Sequence, residues 1–231
     1  MKQSRTVVAY SGSTGSDAAI RALAQQSRGE VVTLTVDLGQ GPLGHVRDAA
    51  LQAGAARAHV LDAREELARA HALPALRAGV PAGGWLPLIR TLGGPLVAEK
   101  MRDVAAIEHA SVAALADAHD VDANILGRVV TGDAYVLTKS PAAAPDAPAL
   151  VEIALERGVP VAINEVTMPL TELIESLAII AGQHGVGRVE QVEAPAAVVL
   201  HTALRAQTDG VVRMKLFKGT CEQVPELVPC R

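Results

Sequence analysis

Residues 6–17 read Thr-Val-Val-Ala-Tyr-Ser-Gly-Ser-Thr-Gly-Ser-Asp, and they set the architecture of the first half of the chain. The β-branched run 6–10 predicts a short strand, and the small residues 11–16 predict a turn. A helix is then expected from Asp17 to Gln26, because Ile20 and Leu23 recur at helical spacing. The stretch therefore predicts a strand, a small-residue turn and a helix in that order.

The same alternation continues further along the chain. Strands are predicted at Glu30–Asp37 and Ala58–Leu61, and helices at His45–Ala53 and Ala63–Ala72. The strands are apolar throughout, as is typical of strands that are covered on both faces. Alternating strands and helices of this kind indicate an α/β fold with a parallel sheet.

The middle of the chain lacks this alternation. Gly79–Leu96 is rich in glycine and proline and predicts a loop, whereas Val97–Ala118 predicts a helix with almost no strand signal. We expect a domain boundary near residues 120–135. The predicted division is an α/β domain at 1–120 and a smaller α+β domain at 121–231.

The second half combines strands with one clear helix. Leu150–Leu155 and Pro160–Ile163 predict a β-hairpin, since Glu-Arg-Gly separates them. A helix is predicted at Pro169–His184, where apolar residues follow 3, 4 and 7 spacing. Ala197–Leu200 and Val211–Phe217 predict further strand pieces.

Composition excludes several classes of protein. The 231 residues are 49% apolar, which excludes disorder, and 2% aromatic, which leaves no series of rings for stacking on single-stranded nucleic acid. The net charge of −4 also argues against binding to a phosphate backbone.

Targeting and metal signals are also missing from the sequence. No apolar run approaches the ~18 residues of a membrane span, and we expect a cytoplasmic protein without membrane contact. The seven histidines show no metal-ligand spacing, and Cys221 and Cys230 are interpreted as tail residues, so no metal site is predicted.

Residues 11–17 form the first candidate site. They follow a predicted strand of a parallel sheet and precede a helix, which is where anions bind to free N–H groups. The alternative is a polar turn with a helix cap, because Ser13, Ser16 and Asp17 are all favoured capping residues. The common nucleotide-binding glycine motifs are absent, so the residues alone leave both interpretations open.

Polar residues after the next two strands are weaker candidates. Asp37 and Gln40 could contact a ribose or base, but turn chemistry around Gly39 and Gly41 explains them at least as well. Asp62, Arg64 and Glu65 could face the same crevice, but helix capping is the preferred interpretation.

Several longer stretches resemble one family in the same order. The quotable matches are 7–12 (Val-Val-Ala-Tyr-Ser-Gly), 31–41 (Val-Val-Thr-Leu-Thr-Val-Asp-Leu-Gly-Gln-Gly), 60–66 (Val-Leu-Asp-Ala-Arg-Glu-Glu), 94–100 (Gly-Pro-Leu-Val-Ala-Glu-Lys), 122–128 (Asp-Ala-Asn-Ile-Leu-Gly-Arg), 158–164 (Gly-Val-Pro-Val-Ala-Ile-Asn), 180–188 (Ile-Ala-Gly-Gln-His-Gly-Val-Gly-Arg) and 212–219 (Val-Arg-Met-Lys-Leu-Phe-Lys-Gly). Through them the chain resembles argininosuccinate synthase along most of its length.

The resemblance implies a fold and a reaction. The fold would be a parallel-sheet nucleotide-binding half of the adenine nucleotide α-hydrolase-like type, followed by a smaller α+β half. The reaction would be a carbon–nitrogen ligation in arginine biosynthesis, in which citrulline and aspartate are joined with ATP, supplied as its Mg complex, and AMP and pyrophosphate are released. Homo-oligomerisation is implied as well.

The resemblance also implies site residues, whereas it leaves the catalytic residues unassigned. The ATP-binding residues would be Ala9, Tyr10, Ser11, Gly12, Ser13, Thr14, Gly15, Ser16, Asp17 and Val36. The substrate-binding residues would be Thr91 and Glu193. An alternative alignment of the segment around Glu193 makes that residue structural.

The chain departs from the family pattern at its binding segments. In the pyrophosphate loop, Ser13 replaces a glycine and Gly15 an aspartate, and the family's His-Gly-x-Thr-Gly-Lys-Gly-Asn-Asp-Gln segment has no counterpart. A substrate-binding tyrosine is replaced by Leu86. Three hypotheses therefore stay open: a ligase, a non-catalytic relative that binds nucleotide or a protein partner, and an assembly protein.

Overall fold

The structure is a computed structural model that describes residues 4–26, 29–80, 84–113, 125–132 and 134–225. The described residues divide into two compact units. The first unit draws on segments 1–64 and 90–122, and the second on 65–89 and 123–231. Among the described helices, none combines the length and the apolar character that crossing a membrane requires.

The first unit is a parallel sheet with its connecting helices. Its elements are β1 (Arg5–Ala9), α1 (Thr14–Gln26), β2 (Glu30–Asp37), α2 (Val46–Gln52), β3 (Arg57–Asp62), most of α5 (Trp85–Glu108) and β4 (Ser111–Ala113). The strand order is β3-β2-β1-β4, and every pairing is parallel. The predicted parallel sheet is thus confirmed.

Strand β1 is the point at which the strand order reverses. Val7 pairs with Val32 of β2 on one side and with Val112 of β4 on the other. Val7, Val8 and Val32 are fully buried, which explains why this apolar run forms a central strand. Ligands of open α/β sheets bind beyond the carboxyl end of such a strand.

The predicted loop at Gly79–Leu96 is wrong for most of its length. Helix α5 begins at Trp85 and continues to Glu108, with Pro95 in its interior. Ile89 and Leu96 are fully buried, and further buried apolar residues recur three and four positions apart along the helix. Burial of this face outweighs the unfavourable local propensity of glycine and proline.

The predicted helix at Val97–Ala118 is too long. The helix ends at Glu108, His109 has a positive φ of 52°, and β4 follows at Ser111–Ala113. Residues 114–118 of the prediction lie outside the described residues. Pairing with β1 specifies the short strand, and one sequence contains no signal for that distant pairing.

The second unit is an α+β arrangement. Its elements are the helical run α3 (Arg64–Glu66), which begins at the unit boundary, a π-helical turn (Leu67–Ala72) and α4 (Leu73–Ala78), then the start of α5, β5 (Arg128–Val129), a 3₁₀ turn (Pro141–Ala143), β6 (Ala149–Glu156), β7 (Val159–Ile163), β8 (Val166–Thr167), α6 (Leu170–Gln183), β9 (Arg188–Val189), β10 (Val192–Glu193), α7 (Pro195–Ala206), β11 (Gly210–Phe217) and β12 (Thr220–Gln223). A five-stranded antiparallel sheet has the order β12-β11-β6-β7-β8, and a small sheet has the order β5-β10-β9.

The predicted hairpin at 150–163 is confirmed. Strands β6 and β7 pair antiparallel, and Glu156 pairs with Val159. The two residues between them, Arg157 and Gly158, both have positive φ, as a type I′ turn requires.

The predicted strand at Ala197–Leu200 is wrong, because these residues belong to helix α7. Pro195 lies in the first turn of the helix, where a backbone N–H would have no acceptor within the helix, so the missing N–H of proline costs nothing. Val199, Leu200 and Ala203 are fully buried on one helical face. A short apolar run does not distinguish a strand from a buried helix segment.

The predicted domains, 1–120 and 121–231, stay a prediction. In the structure, the described residues of segment 65–89 group with the second unit. Cys221 differs from its interpretation as a tail residue, since it lies in β12 as a free thiol whose burial raises its pKa to about 11. Cys230 lies outside the described residues.

A buried carboxylate links the ends of several elements in the first unit. Glu108 is 4% exposed, and its Oε1 lies 2.9 Å from His59 Nε2. Arg57 Nη1 donates to both carboxylate oxygens at 2.8 and 3.2 Å, and Arg5 Nη1 donates to Oε2 at 3.3 Å. Glu108 therefore ties the C-terminus of α5 to the first residues of β1 and β3.

We predict that Glu108→Gln destabilises the protein by about 1 to 3 kcal/mol, because it removes the buried carboxylate and with it the charge-assisted hydrogen bonds from Arg57, Arg5 and His59. Solvent around the half-exposed Arg57 side chain screens its interaction and keeps the loss within this range. Glu99→Gln, on the exposed side of the same helix, is the control and should change stability little. Urea unfolding measures both. Equal effects of the two substitutions would contradict the anchoring role of Glu108.

The stability contribution of Glu108 should also depend on pH. Burial raises the pKa of Glu108, but hydrogen bonds from His59 and Arg57 and the Arg57 charge outweigh it, so the pKa is lowered overall. A lowered folded-state pKa gives stability that is present above the unfolded-state value and is lost as the pH falls through the folded-state value. The stability difference between wild type and Glu108→Gln should therefore shrink on acidification, and a pH-independent difference would contradict the assignment.

Candidate functional site

The β1–α1 loop leaves the sheet at its carboxyl edge. Tyr10, the residue after β1, is buried, and its N–H donates to the Leu34 carbonyl at 2.9 Å. The buried hydroxyl of Thr35 donates to the Tyr10 carbonyl at 2.8 Å. Both bonds fix the point from which residues 11–13 turn toward helix α1.

Three hydroxyl groups form a cluster in this loop, which we name the serine cluster (Ser11, Ser13 and Ser16). Ser11 Oγ lies 3.1 Å from Ser13 Oγ and 3.4 Å from Ser16 Oγ, and Ser13 Oγ lies 3.3 Å from Ser16 Oγ. Ser16 is buried, whereas Ser11 and Ser13 are exposed. Two of the hydroxyls can therefore meet a ligand at the helix N-terminus.

Helix α1 begins at Thr14, three residues before the predicted start at Asp17. Ser13 caps it, because Ser13 Oγ accepts a hydrogen bond from Ser16 N at 3.2 Å and the Ser13 carbonyl accepts one from Asp17 N at 3.0 Å. Thr14 and Gly15 are in the first turn, where a helix provides no internal acceptor for its N–H groups. The capping and anion-binding interpretations thus apply to the same turn.

The loop position of Gly12 requires a residue without a side chain. Its φ is +78°, and an added Cβ would lie 3.3 Å from Val46 Cγ2. Only glycine adopts this conformation without strain, and the missing side chain leaves the loop backbone accessible. Close approach of backbone to a phosphate depends on this feature in other glycine-containing loops.

Asp17 brings a negative charge to the same turn, and the Tyr10 hydroxyl donates a hydrogen bond to its carboxylate. Burial and then this bond to Asp17 raise the pKa of Tyr10 to about 12. Tyr10 therefore stays a neutral donor at physiological pH. Its hydroxyl provides one hydrogen bond to the Asp17 carboxylate, which lies next to the candidate anion site.

The polar residues after β2 are engaged in turn chemistry. Asp37 Oδ1 accepts from Gly39 N at 2.9 Å, and Gln40 accepts from Leu38 N at 2.6 Å. Gln40 Nε2 donates to the Val36 carbonyl at 2.7 Å. Val36, implied as an ATP contact, is buried and its carbonyl already has a partner, so contact with a ligand through this carbonyl would compete with Gln40.

The two implied substrate-binding residues lie in different units. Thr91 is exposed on helix α5 in the first unit. Glu193 lies in β10 of the second unit and is 0% exposed.

The buried carboxylate of Glu193 accepts four hydrogen bonds from one segment of the chain. Its Oε1 accepts from Leu137 N and Thr138 N at 2.9 Å each and from Thr138 Oγ1 at 2.8 Å, and its Oε2 accepts from Val136 N at 3.0 Å. A buried carboxylate with four donors fixes the conformation of residues 136–138. These contacts are of the kind that the alternative alignment implies, and both interpretations of Glu193, substrate contact and structural residue, stay predictions.

Sequence reasoning missed Thr35 and Thr138. Thr35 holds the exit of β1, and Thr138 lies between Glu193 and Arg188 Nε, which is 3.0 Å from its hydroxyl. In the sequence, Thr35 is a β-branched residue of an apolar strand, and Thr138 lies in a segment without periodicity. Neither position carries a signal that distinguishes it from ordinary strand or loop threonines.

The donor set of the loop fits phosphate better than a metal ion. Hydroxyl groups and first-turn N–H groups are anion donors. Within residues 4–26, 29–80, 84–113, 125–132 and 134–225, no group of three or more His, Cys, Asp or Glu side chains is placed to hold a metal.

Comparison with known families agrees with this geometry. Residues 5–120 match the family model of the arginosuccinate synthase N-terminal HUP domain, and residues 122–202 match that of the arginosuccinate synthase C-terminal domain. The chain belongs to the argininosuccinate synthase family.

Individual relatives carry the same family name. The chain is 33% identical to argininosuccinate synthase of Rubrobacter xylanophilus over 95% of this chain and 73% of the relative. It is 32% identical to that of Bacillus velezensis over 83% and 64%, and 28% identical to that of Bacillus thuringiensis over 99% and 77%.

The family relationship includes large gaps. The alignment with the Rubrobacter protein extends over 304 positions, whereas this chain has 231 residues, so the relative has residues at many positions where this chain has none. The match to the Bacillus velezensis protein covers less than two thirds of that relative.

We predict that Glu193→Gln lowers the free energy of unfolding by about 2 to 3 kcal/mol. The side-chain amide NH₂ would take the place of one accepting oxygen and would face hydrogen-bond donors that it cannot accept from. Amide hydrogen exchange at residues 136–138 should accelerate in the same variant. The control is Glu156→Gln, at an exposed position of β6. A stability equal to that of the control, combined with loss of substrate binding, would restore the ligand role of Glu193.

Proposed function

We propose that this chain binds ATP at the β1–α1 loop and is a carbon–nitrogen ligase of the argininosuccinate synthase type, joining citrulline to aspartate with release of AMP and pyrophosphate. The observation that carries the proposal is the serine cluster at the N-terminus of α1, at the carboxyl end of the strand where the sheet order reverses. Family membership supports the choice of reaction type.

The loop residues would hold the phosphates by donation. Ser11 and Ser13 hydroxyls and the N–H groups of the first turn of α1 would donate to phosphate oxygens, and the positive end of the helix dipole would favour the negative charge. Gly12 would let the backbone approach, and Mg²⁺ would arrive as part of the ATP complex. When bound, ATP supplies the adenylyl group that activates the acceptor and the pyrophosphate that leaves.

A second function is a nucleotide-binding protein without turnover. The buried, fully bonded carboxylate of Glu193 favours it, since this side chain would have to leave four donors to contact citrulline. The loop chemistry is the same in both functions, so nucleotide affinity alone does not distinguish them.

AMP and pyrophosphate release distinguishes the two functions. The purified protein is incubated with ATP, citrulline and aspartate, and each is omitted in turn. Release of both products that depends on citrulline supports the ligase. ATP affinity in calorimetry with no release in any mixture supports the second function, and absence of both rejects the proposal.

We expect Gly12→Ala to weaken ATP binding by about tenfold or more, because an alanine at positive φ costs about 1 to 2 kcal/mol and shifts the loop. Gly44→Ala is the matched control, since an added Cβ there has no neighbour within 4 Å. Isothermal titration with ATP measures both, and circular dichroism verifies that both are folded. Unchanged affinity in folded Gly12→Ala would place the phosphate site elsewhere.

A further inference from the structure

A groove lies between helix α2 and strand β3 in the first unit, on the opposite side of β2 from β1. Its volume is about 520 Å³, and it is lined by Arg47 and Leu51 of α2, by Arg57, His59 and Val60 of β3 and by two alanines. We name it the α2–β3 groove. The loop that carries the serine cluster contributes no lining residue.

Strand β3 forms an edge of the described sheet. It pairs with β2 through Arg57 to Asp62, and among the described residues it has no strand on its other side. In an edge strand, alternate N–H and C=O groups point away from the neighbouring strand and can bond to an added one. Five consecutive residues of the groove wall, 56–60, run along this edge.

The groove is positively charged. Arg47 is exposed, and Arg57 has a side chain that is 53% exposed, while none of the described residues that line the groove is acidic. The nearest carboxylate bonded to the lining, Glu108, is 4% exposed and is shared by Arg5, Arg57 and His59. The charge that reaches solvent here is therefore that of the arginines.

Apolar surface accompanies the charge. Leu51 is 40% exposed and Val60 is 39% exposed, one from each wall of the groove. An added strand presents side chains alternately to its two sides. Arg57 and Val60 lie on opposite faces of β3, so one row can meet the charge of Arg57 while the other meets Val60.

We propose that the α2–β3 groove binds an extended segment of another protein that alternates acidic and apolar residues and adds to β3 as a parallel or antiparallel strand. Main-chain bonds to the edge of β3 provide the attachment, and Arg47 and Arg57 select carboxylates. An extended peptide can pair its own N–H and C=O groups with the N–H and C=O groups along residues 56–60. A small anion has no such series of donors and acceptors.

The test uses a fluorescein-labelled peptide of sequence Asp-Val-Glu-Val-Asp-Val, its Lys-for-acid counterpart and a form that is N-methylated at alternate residues. Fluorescence anisotropy with the full chain measures affinity, and amide shifts in ¹⁵N NMR locate the site. We expect binding of the acidic peptide only, weakened by salt, with the shifts concentrated at residues 47–60.

Arg47→Glu should weaken peptide binding by at least about tenfold. Arg205→Glu is the control, since it makes the same charge change at an exposed position of α7. Both variants are verified by thermal unfolding, and Arg47 rather than Arg57 is changed because Arg57 also bonds to Glu108.

Several outcomes would overturn the proposal. Equal weakening by Arg205→Glu would indicate a general charge effect. Full competition by inorganic phosphate, together with undiminished binding of the N-methylated peptide, would indicate a small-anion site without strand addition. Absence of binding by wild type would reject the groove as a docking site.

Discussion

The parallel pairing of β1 between β2 and β4 is the constraint on which the first unit depends. It buries Val7 and Val8 completely, and it directs the carboxyl end of β1 to the position where the strand order reverses. The loop, the helix N-terminus and the serine cluster follow from that position, because the chain must turn there to reach helix α1. At the opposite end of the same strand, Arg5 contacts Glu108, so one strand links the candidate site to the electrostatic anchor of the unit.

The sequence allowed prediction of the parts whose signals are local. The strand near 6–10, the alternation through residue 62 and the 150–163 hairpin depend on short-range periodicity and turn chemistry, and the structure contains them. The turn predicted at 11–16 is shorter, because helix α1 already begins at Thr14. Residues 85–96 of helix α5, and helix α7, were missed for the opposite reason. Pro95 and the glycines before it suggest a loop, and Ala197–Leu200 is too short to show its period, so burial against distant residues decides both.

The candidate site also contains residues that could be selected from local sequence and one residue that could not be interpreted from it. Ser11 to Asp17 could be selected from their place between a strand and a helix, and the structure brings these residues together. Glu193 could not be interpreted from sequence, since a carboxylate between Val192 and Ala194 has the same appearance whether it binds a substrate or backbone amides. Only the positions of Val136, Leu137 and Thr138, more than fifty residues away in the chain, distinguish the two roles.

The remote origin of β4 has a consequence for how the chain folds. Thr6 and Ser111, which meet in the β1–β4 pair, are 105 positions apart, whereas β1 and β2 are joined by a single helix. Closing the longer loop costs more chain entropy before any contact offsets it, so a β1–β2 pair can form from local sequence while β4 must wait for helix α5. During synthesis, the edge of β1 that faces β4 therefore stays open after β2 has paired, and it closes only after about a hundred further residues have followed.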